Sequence, residues 1–190
     1  MNKTLLTLAL AAGLGTSLSG CFPVVAAGVG TGVIMADDRR TSGTFIEDQE
    51  IELKADRDIS DQLGDQVHVN VTSVNRSVLL TGEATTDALR QQAENLAARI
   101  TNVRSVHNEI VVAAPTSLAS RSNDAYLTSL VKARFIDAHK FDLNHVKVVT
   151  ENGTVFLLGL VSHKEADDAT EIARTTAGVQ KVVRIFEYID

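Results

Sequence analysis

The sequence predicts an α+β fold made of two tandem modules, each with the element order α-β-β-α-β. The first observation is an internal repeat, in which residues 69–82 align without a gap with residues 146–159. The second is that each copy contains two apolar segments around a tight turn, which predicts a β-hairpin. The third is a helical apolar period before and after each hairpin. Repetition at this period indicates an array of small modules rather than one enzyme core.

The repeat and the composition divide the chain into five segments. These are a lipoprotein signal peptide (1–20), a lipidated cysteine with a flexible tether (21–46), a first module (47–112), a linker (113–122) and a second module (123–190). In each module, a small three-stranded mixed sheet would carry both helices on one face. Because Trp is absent and aromatic residues are scarce, we expect small aliphatic cores of modest stability.

The N-terminal residues are predicted to be an export signal and a lipid-anchor site rather than a folded element. Lys3 precedes an apolar stretch too short to span a membrane, and small residues lead to Cys21, the only cysteine. Leu18-Ser-Gly-Cys21 resembles the bacterial lipobox, which implies cleavage before Cys21 and acylation of that residue. The alternative is an ordinary signal peptide followed by a free thiol. Phe22, in place of Asp, favours export to the outer membrane by analogy with Gram-negative lipoproteins, and we expect the anchored protein to face the periplasm.

Two segments are expected to be connections. Residues 26–33 of the tether contain three glycines, but their spacing does not fit a dinucleotide-binding fingerprint and no strand precedes them. In the linker, Pro115 marks a break, and Ser122 or Asn123 is expected to cap the following helix.

The first module has the weaker patterns of the two. Its opening helix has a thin apolar stripe of Ile51, Ala55 and Ile59. A dense series of carboxylates around this stripe is expected to form a solvated face: Glu47, Asp48, Glu50, Glu52, Asp56, Asp58, Asp61 and Asp65. The favoured hairpin turn needs positive φ at both Asn75 and Arg76, so Arg76 should be strained or the turn should differ.

The second module has clearer patterns. The apolar face of its opening helix comprises Leu127, Leu130, Val131, Phe135 and Ala138. A hairpin follows with its turn at Asn152-Gly153, then a helix that stops at Gly178, and a last strand over residues 179–189. Gly82 and Gly159 end the second strand of each copy, where a close approach or a bend would leave no room for a side chain.

The repeated residues resemble the BON domain, a bacterial periplasmic module. The resemblance rests on Val69-x-Val71, Gly82 and the apolar pattern of residues 93–106 in the first copy, and on Val146-x-Val148, Asn152-Gly153, Gly159 and residues 169–182 in the second. Together with the lipobox, it covers nearly the whole mature chain. It implies a dual-BON outer-membrane lipoprotein that binds anionic phospholipid, supports membrane integrity and has no known enzyme activity. Arg76 and the polar first helix depart from the family pattern.

We find no pattern of catalytic or metal-binding residues. The five histidines show no metal-ligand spacing; they are His68, His107, His139, His145 and His163. Gly64 comes too late in the acidic series for a calcium loop. The net charge of −6 does not favour a nucleic-acid partner. We therefore expect no cofactor, no metal and no small-molecule substrate, and an enzymatic role is the least favoured hypothesis.

Charge and an exposed apolar residue single out one surface. Residues 47–112 carry a net charge of −6 and residues 123–190 a net charge of −2. An anionic leaflet attracts each nearby Lys or Arg by about 1 kcal/mol and repels carboxylates, so the first module is a poor membrane-facing surface. Away from the core, the second module's opening helix presents Tyr126, Ser129, Lys132, Ala133, Ile136 and Lys140. An isoleucine between two lysines predicts contact with an anionic phospholipid membrane.

Two alternatives stay open. This helix face would otherwise be an ordinary solvated surface or a contact with the first module. The alternative function is a periplasmic interaction scaffold, which would dock an envelope protein through its sheet edges or its acidic first module. Arg134 falls near the apolar stripe and receives no role.

Overall fold

The computed structural model describes residues 38–190, which form two modules in the predicted element order. The signal peptide, Cys21 and most of the predicted tether lie outside the described residues. The first module comprises α1 (Ser42–Leu63), β1 (Val67–Val74), β2 (Ser77–Ala84), α2 (Asp87–Ala98), β3 (Ser105–Asn108) and β4 (Val111–Val112). The second comprises α3 (Leu118–Ala138), β5 (Lys147–Glu151), β6 (Thr154–Val161), α4 (His163–Arg174) and β7 (Lys181–Tyr188).

Both sheets are mixed, as predicted. In the second module, β5 and β6 form the antiparallel hairpin and β7 lies parallel to β6. In the first module, β1 and β2 are antiparallel, and β3 and β4 both run parallel to β2 in one continuous register. The side chain of Asn108 accepts the backbone N–H of Ile110 where this edge strand is interrupted, and Ile110 is buried. The expected third strand is therefore divided into two.

Each sheet buries one face under its two helices, which confirms the predicted fold class. The first core includes Ile51, Ala55 and Ile59 of α1 with Val78 and Leu80 of β2. The second core brings the apolar face of α3 and the alanines of α4 against alternate residues of β5, β6 and β7. Both cores are aliphatic except for Phe135, Phe141 and Phe186 in the second module.

The opening helices begin earlier than the sequence predicts. Helix α1 begins at Ser42, within the predicted tether, because the hydroxyl of Thr41 accepts the N–H of Thr44 and caps it. Helix α3 begins at Leu118, within the predicted linker, and its cap is Ser117 rather than Ser122 or Asn123. The first turn of α3 is largely exposed, and the buried residue in the first turn of α1 is the polar Thr44, so no apolar period marked either start in the sequence.

A buried aspartate closes each hairpin turn. Asp48 accepts the backbone N–H groups of Asn75 and Arg76, and it also accepts the hydroxyl of Ser73. Asp124 accepts the N–H groups of Asn152 and Gly153 in the same way. The prediction that all the carboxylates of the first helix are solvated is therefore wrong for Asp48, which is only 2% exposed.

The turn of the first module keeps the predicted geometry in spite of its arginine. Asn75 and Arg76 have φ values of 52° and 64°, like Asn152 and Gly153 at 47° and 73°. Arg76 is thus held in the left-handed region, which costs a residue with a side chain about 1–2 kcal/mol. The two hydrogen bonds to Asp48 hold the turn in that conformation.

Gly82 and Gly159 lie two residues before the ends of β2 and β6 rather than at those ends, and a close backbone approach requires glycine at both, as predicted. A Cβ on Gly82 would collide with the carbonyl of His68, and a Cβ on Gly159 would collide with the carbonyl of His145. Both glycines also have positive φ, 112° and 154°. The equivalent positions of the two histidines thus reflect a shared backbone contact.

The faces of the two sheets that carry no helices pack against each other. Val74 and Leu79 of the first module join Phe156 and Leu158 of the second in a third apolar cluster. Polar contacts flank this cluster, among them Asn70 to Glu151 at 2.9 Å and Lys147 to Glu52 at 2.8 Å. The helices of each module consequently lie on the outer sides of the paired sheets.

The segment ahead of α1 also joins the two modules. Arg39 makes two hydrogen bonds to Glu165 of α4, at 2.7 and 2.9 Å, and a third to the carbonyl of Leu160. The neighbouring Arg40 pairs with Asp48 of the first module at 2.8 Å. Arg39 therefore binds the second module, and the adjacent Arg40 binds the first.

Candidate functional site

The predicted surface residues of α3 do lie on its solvent side. Leu127, Val131 and Phe135 are buried, which turns the other face of the helix outward. Tyr126 is 63% exposed and Ile136 is 55% exposed. Ser129, Lys132 and Ala133 lie between them and are exposed as well. The structure thus brings five of the six predicted residues onto one helix face, named here the α3 face.

Lys140 does not lie on that face. Helix α3 ends at Ala138, and His139 adopts a left-handed conformation with φ of 50°. The turn carries Lys140 away from the line of the helix and towards α4, where its ammonium group pairs with Asp168 at 2.7 Å. The prediction that Lys140 continues the helical stripe of Lys132 and Ile136 is therefore wrong.

Three hydrogen bonds from two side chains fix α3 in place behind its exposed face. The hydroxyl of Thr128 donates to that of Thr150 on β5 at 2.7 Å. Arg134 donates to the carbonyl of Ile172 and to the hydroxyl of Thr176, at 2.8 and 2.7 Å. The role that the sequence left unassigned for Arg134 is to satisfy polar groups at the C-terminal end of α4.

The α3 face is free of contacts with the first module. The two modules meet through their sheets, and the exposed side chains of Tyr126 and Ile136 lie on the helical side of the second module. The hypothesis that this face contacts the first module is therefore wrong. Among the salt bridges found within residues 38–190, none involves Lys132.

Two buried glutamates at the contact between the sheets were missed by the sequence analysis. Glu151 accepts hydrogen bonds from Asn70 and Thr81, and Glu83 accepts the backbone N–H of Thr116. Burial raises the pKa of Glu151, and the nearby charge of Glu83 raises it further. Each glutamate occupies the outward position of an alternating strand, which sequence reasoning assigns to solvent; only the pairing of the sheets buries it.

The residues that the structure describes contain no group of three or more His, Cys, Asp or Glu side chains suited to hold a metal ion. None of the helices within residues 38–190 combines the length and the apolar content needed to cross a bilayer.

Comparisons with a family model and with known proteins agree on one family. The model of the BON domain matches residues 47–114 and 123–189. The outer membrane lipoprotein DolP of Haemophilus influenzae is 36% identical over 185 residues, covering 96% of this chain and 96% of that protein.

Two further relatives match most of the chain. The 21 kDa hemolysin of Actinobacillus pleuropneumoniae is 35% identical and covers 80% of this chain and 79% of its own. Osmotically-inducible protein Y of Escherichia coli (strain K12) is 29% identical and covers 74% of this chain and 72% of its own. The residues that carried the resemblance in the sequence all fall within the matched ranges.

Proposed function

The chain belongs to the BON domain family and is an outer-membrane lipoprotein, and from this premise we propose that its second module binds anionic phospholipid through the α3 face. In this proposal, Cys21 carries the lipid anchor, and the folded part acts without catalysis in support of outer-membrane integrity. The similarity to an outer membrane lipoprotein over nearly the whole chain supports the location and the role.

The observation that carries the proposal is an exposed isoleucine on a firmly held helix, with a lysine one turn before it and a tyrosine about 15 Å from it towards the start of the same helix. Ile136 exposes more than half of its side chain, and burying such a side chain fully contributes about 1.5–3 kcal/mol. Lys132 would add about 1 kcal/mol near an anionic leaflet. Tyr126 suits the headgroup region because its ring is amphipathic.

The proposed contact is weak compared with an acyl anchor. Each buried methylene of an acyl chain contributes about 0.8 kcal/mol, so two or three chains hold a protein on the membrane without help. A tethered module meets the bilayer at a high effective concentration, which makes a weak contact usable. The α3 face would therefore direct where the anchored protein gathers and how it is oriented.

Co-sedimentation with vesicles tests the proposal. Residues 22–190 lack the anchor but keep every described element and both cores. They should bind vesicles rich in phosphatidylglycerol at low salt and much less to phosphatidylcholine vesicles. Lys132→Glu and Ile136→Asp should each weaken this binding about tenfold or more, because one reverses a charge and the other places a carboxylate in the interface.

Two matched controls accompany these variants. Lys181→Glu makes the same charge change as Lys132→Glu on β7, and Leu53→Asp makes the same apolar-to-acid change on α1, where the side chain is 73% exposed. Both should retain most of the binding. Absence of binding by the unaltered protein at low salt would contradict the proposal.

A second candidate is an interaction scaffold, which one feature of the first module favours. Ile46 and Leu53 are 59% and 73% exposed, and their seven-residue spacing places them on one side of α1. Because carboxylates surround them, a partner of opposite charge would suit this surface better than an anionic membrane. If Leu53→Asp impairs outer-membrane integrity in cells while vesicle binding stays intact, the result would favour the scaffold.

A further inference from the structure

Two lysines next to the α3 face converge on a single carboxylate. Lys140, from the turn after α3, lies 2.7 Å from one oxygen of Asp168. Lys164, one turn earlier on α4, lies 2.6 Å from the other oxygen. The two ammonium groups therefore share one anion at the junction of the two helices, an arrangement named here the lysine pair.

The lysine pair is accessible to a ligand larger than water. The side chains of Lys140 and Lys164 are 47% and 80% exposed, whereas that of Asp168 is 17% exposed. The carboxylate thus lies beneath the two ammonium groups, which face solvent. A phosphodiester has the same two anionic oxygens to offer to this pair, and lysine binds phosphate as a point charge.

From this geometry, we infer that the lysine pair is a second phospholipid headgroup subsite and that Asp168 is its built-in competitor. The inference rests on the proposed function, since it places this subsite at the edge of the α3 face. Asp168 would hold both lysines back until a phosphate from the bilayer replaces it. Binding would then require a surface with a high density of anionic headgroups.

The competition is ionic and needs no proton. Hydrogen bonds from Lys140 and Lys164 lower the pKa of Asp168, so this carboxylate stays charged near neutral pH. Exposed ion pairs contribute little to stability, so a phosphate can displace the carboxylate. Asp168 therefore sets a threshold for binding rather than a block.

Two other carboxylates of α4 near the subsite are already paired. On α4, Asp167 pairs with Arg184 at 2.8 Å, and Glu171 pairs with Arg174. Asp137 is exposed on the last turn of α3. Asp168 is the carboxylate that contacts both members of the lysine pair, which makes it the position to test.

The test is a double-mutant cycle on residues 22–190 with phosphatidylglycerol vesicles. Asp168→Asn should lower the apparent Kd about fivefold and reduce the fraction of phosphatidylglycerol at half-binding, because one repulsive charge is lost. Lys140→Gln should then weaken vesicle binding by a factor at least about three times larger in the Asp168→Asn background than in the unaltered protein. The reason is that Lys140 is no longer paired with Asp168 in that background.

Asp167→Asn is the control, since it makes the same charge change one residue away. It should tighten binding less than Asp168→Asn does, and its effect should combine additively with that of Lys140→Gln. Equal effects of the two substitutions, or additivity of Asp168→Asn with Lys140→Gln, would overturn the inference and leave only a general charge effect.

Two further measurements separate the sources of failure. Inorganic phosphate, compared with chloride at the same ionic strength, should compete only weakly with the vesicles, because free ions lack the charge density of a bilayer surface. Strong competition would show that the ligand is free phosphate rather than a lipid headgroup. If the unaltered protein does not bind vesicles at all, the proposed function has failed. If it binds and Asp168→Asn has no effect, only the subsite has failed.

Discussion

At the scale of single residues, one carboxylate closes each hairpin turn. Asp48 and Asp124 stand at equivalent places on the opening helices of the two modules. Each reaches across to two backbone N–H groups that the turn itself leaves unpaired. A buried donor without an acceptor costs about 1–3 kcal/mol, so these aspartates stabilise the join between helix and hairpin.

The first prediction concerns Asp124. Its replacement by Ala should lower the free energy of unfolding of the protein by about 2–4 kcal/mol, because the N–H groups of Asn152 and Gly153 lose their acceptor. Urea denaturation followed by circular dichroism measures the change. Asp137→Ala, an exposed change on the same helix, should stay within about 0.5 kcal/mol. Equal stabilities of the two variants would contradict the role given to Asp124.

At the scale of elements, α3 has an inner face that packs and an outer face for which we propose membrane contact. Its inner face is held by the core and by Arg134, whose guanidinium satisfies a carbonyl and a hydroxyl at the end of α4. Its outer face carries Lys132 and Ile136, whose side chains make no hydrogen bond or salt bridge to any residue of the range 38–190. Two basic residues two positions apart are therefore expected to respond differently to substitution.

The second prediction distinguishes these two faces. Arg134→Ala should lower the free energy of unfolding by about 1–2 kcal/mol, because two hydrogen bonds from a charged donor are lost. Lys132→Ala should change it by no more than about 0.5 kcal/mol. Thermal unfolding and vesicle binding are measured on both proteins. A destabilising Lys132→Ala would argue that Lys132 belongs to the fold rather than to a binding surface.

At the scale of the whole molecule, the two modules are joined at three levels. Their sheets share an apolar cluster, polar pairs surround it, and the Arg39-Arg40 segment pairs with both modules. Hydrogen bonds from Arg39, with those from Ser162, lower the pKa of Glu165 to about 2. Since Glu165 also closes the capping box of α4, one carboxylate links the N-terminal segment to the second module.

The third prediction is a pH dependence that follows from Glu165. Its pKa is lower in the folded protein than the ordinary value of 4.5, so its contribution is fully present above about pH 4.5 and is lost as the pH falls towards 2. Arg39→Gln should make the loss of stability across this window smaller. Urea midpoints measured at several pH values test this, and identical slopes for both proteins would contradict it.

Much of this architecture could be predicted from the sequence because each module repeats simple local patterns. Alternating apolar residues around Asn152-Gly153, helical stripes and paired glycines determine which face of each element is buried. The prediction of Gly82 and Gly159 as sites of close approach follows from the same logic. The candidate α3 face was predicted as well, since it is the complement of a helical apolar stripe.

Other features depend on residues far apart in the chain, and only the tertiary structure decided them. Lys140 lies beyond the end of α3, because His139 adopts a left-handed conformation after Ala138. Its partner, Asp168, lies on another helix. Glu83 and Glu151 are buried because two sheets pair, and Asp48 is buried because a hairpin folds against it. A local pattern fixes which side of an element faces a core, but it contains no information about what covers the other side.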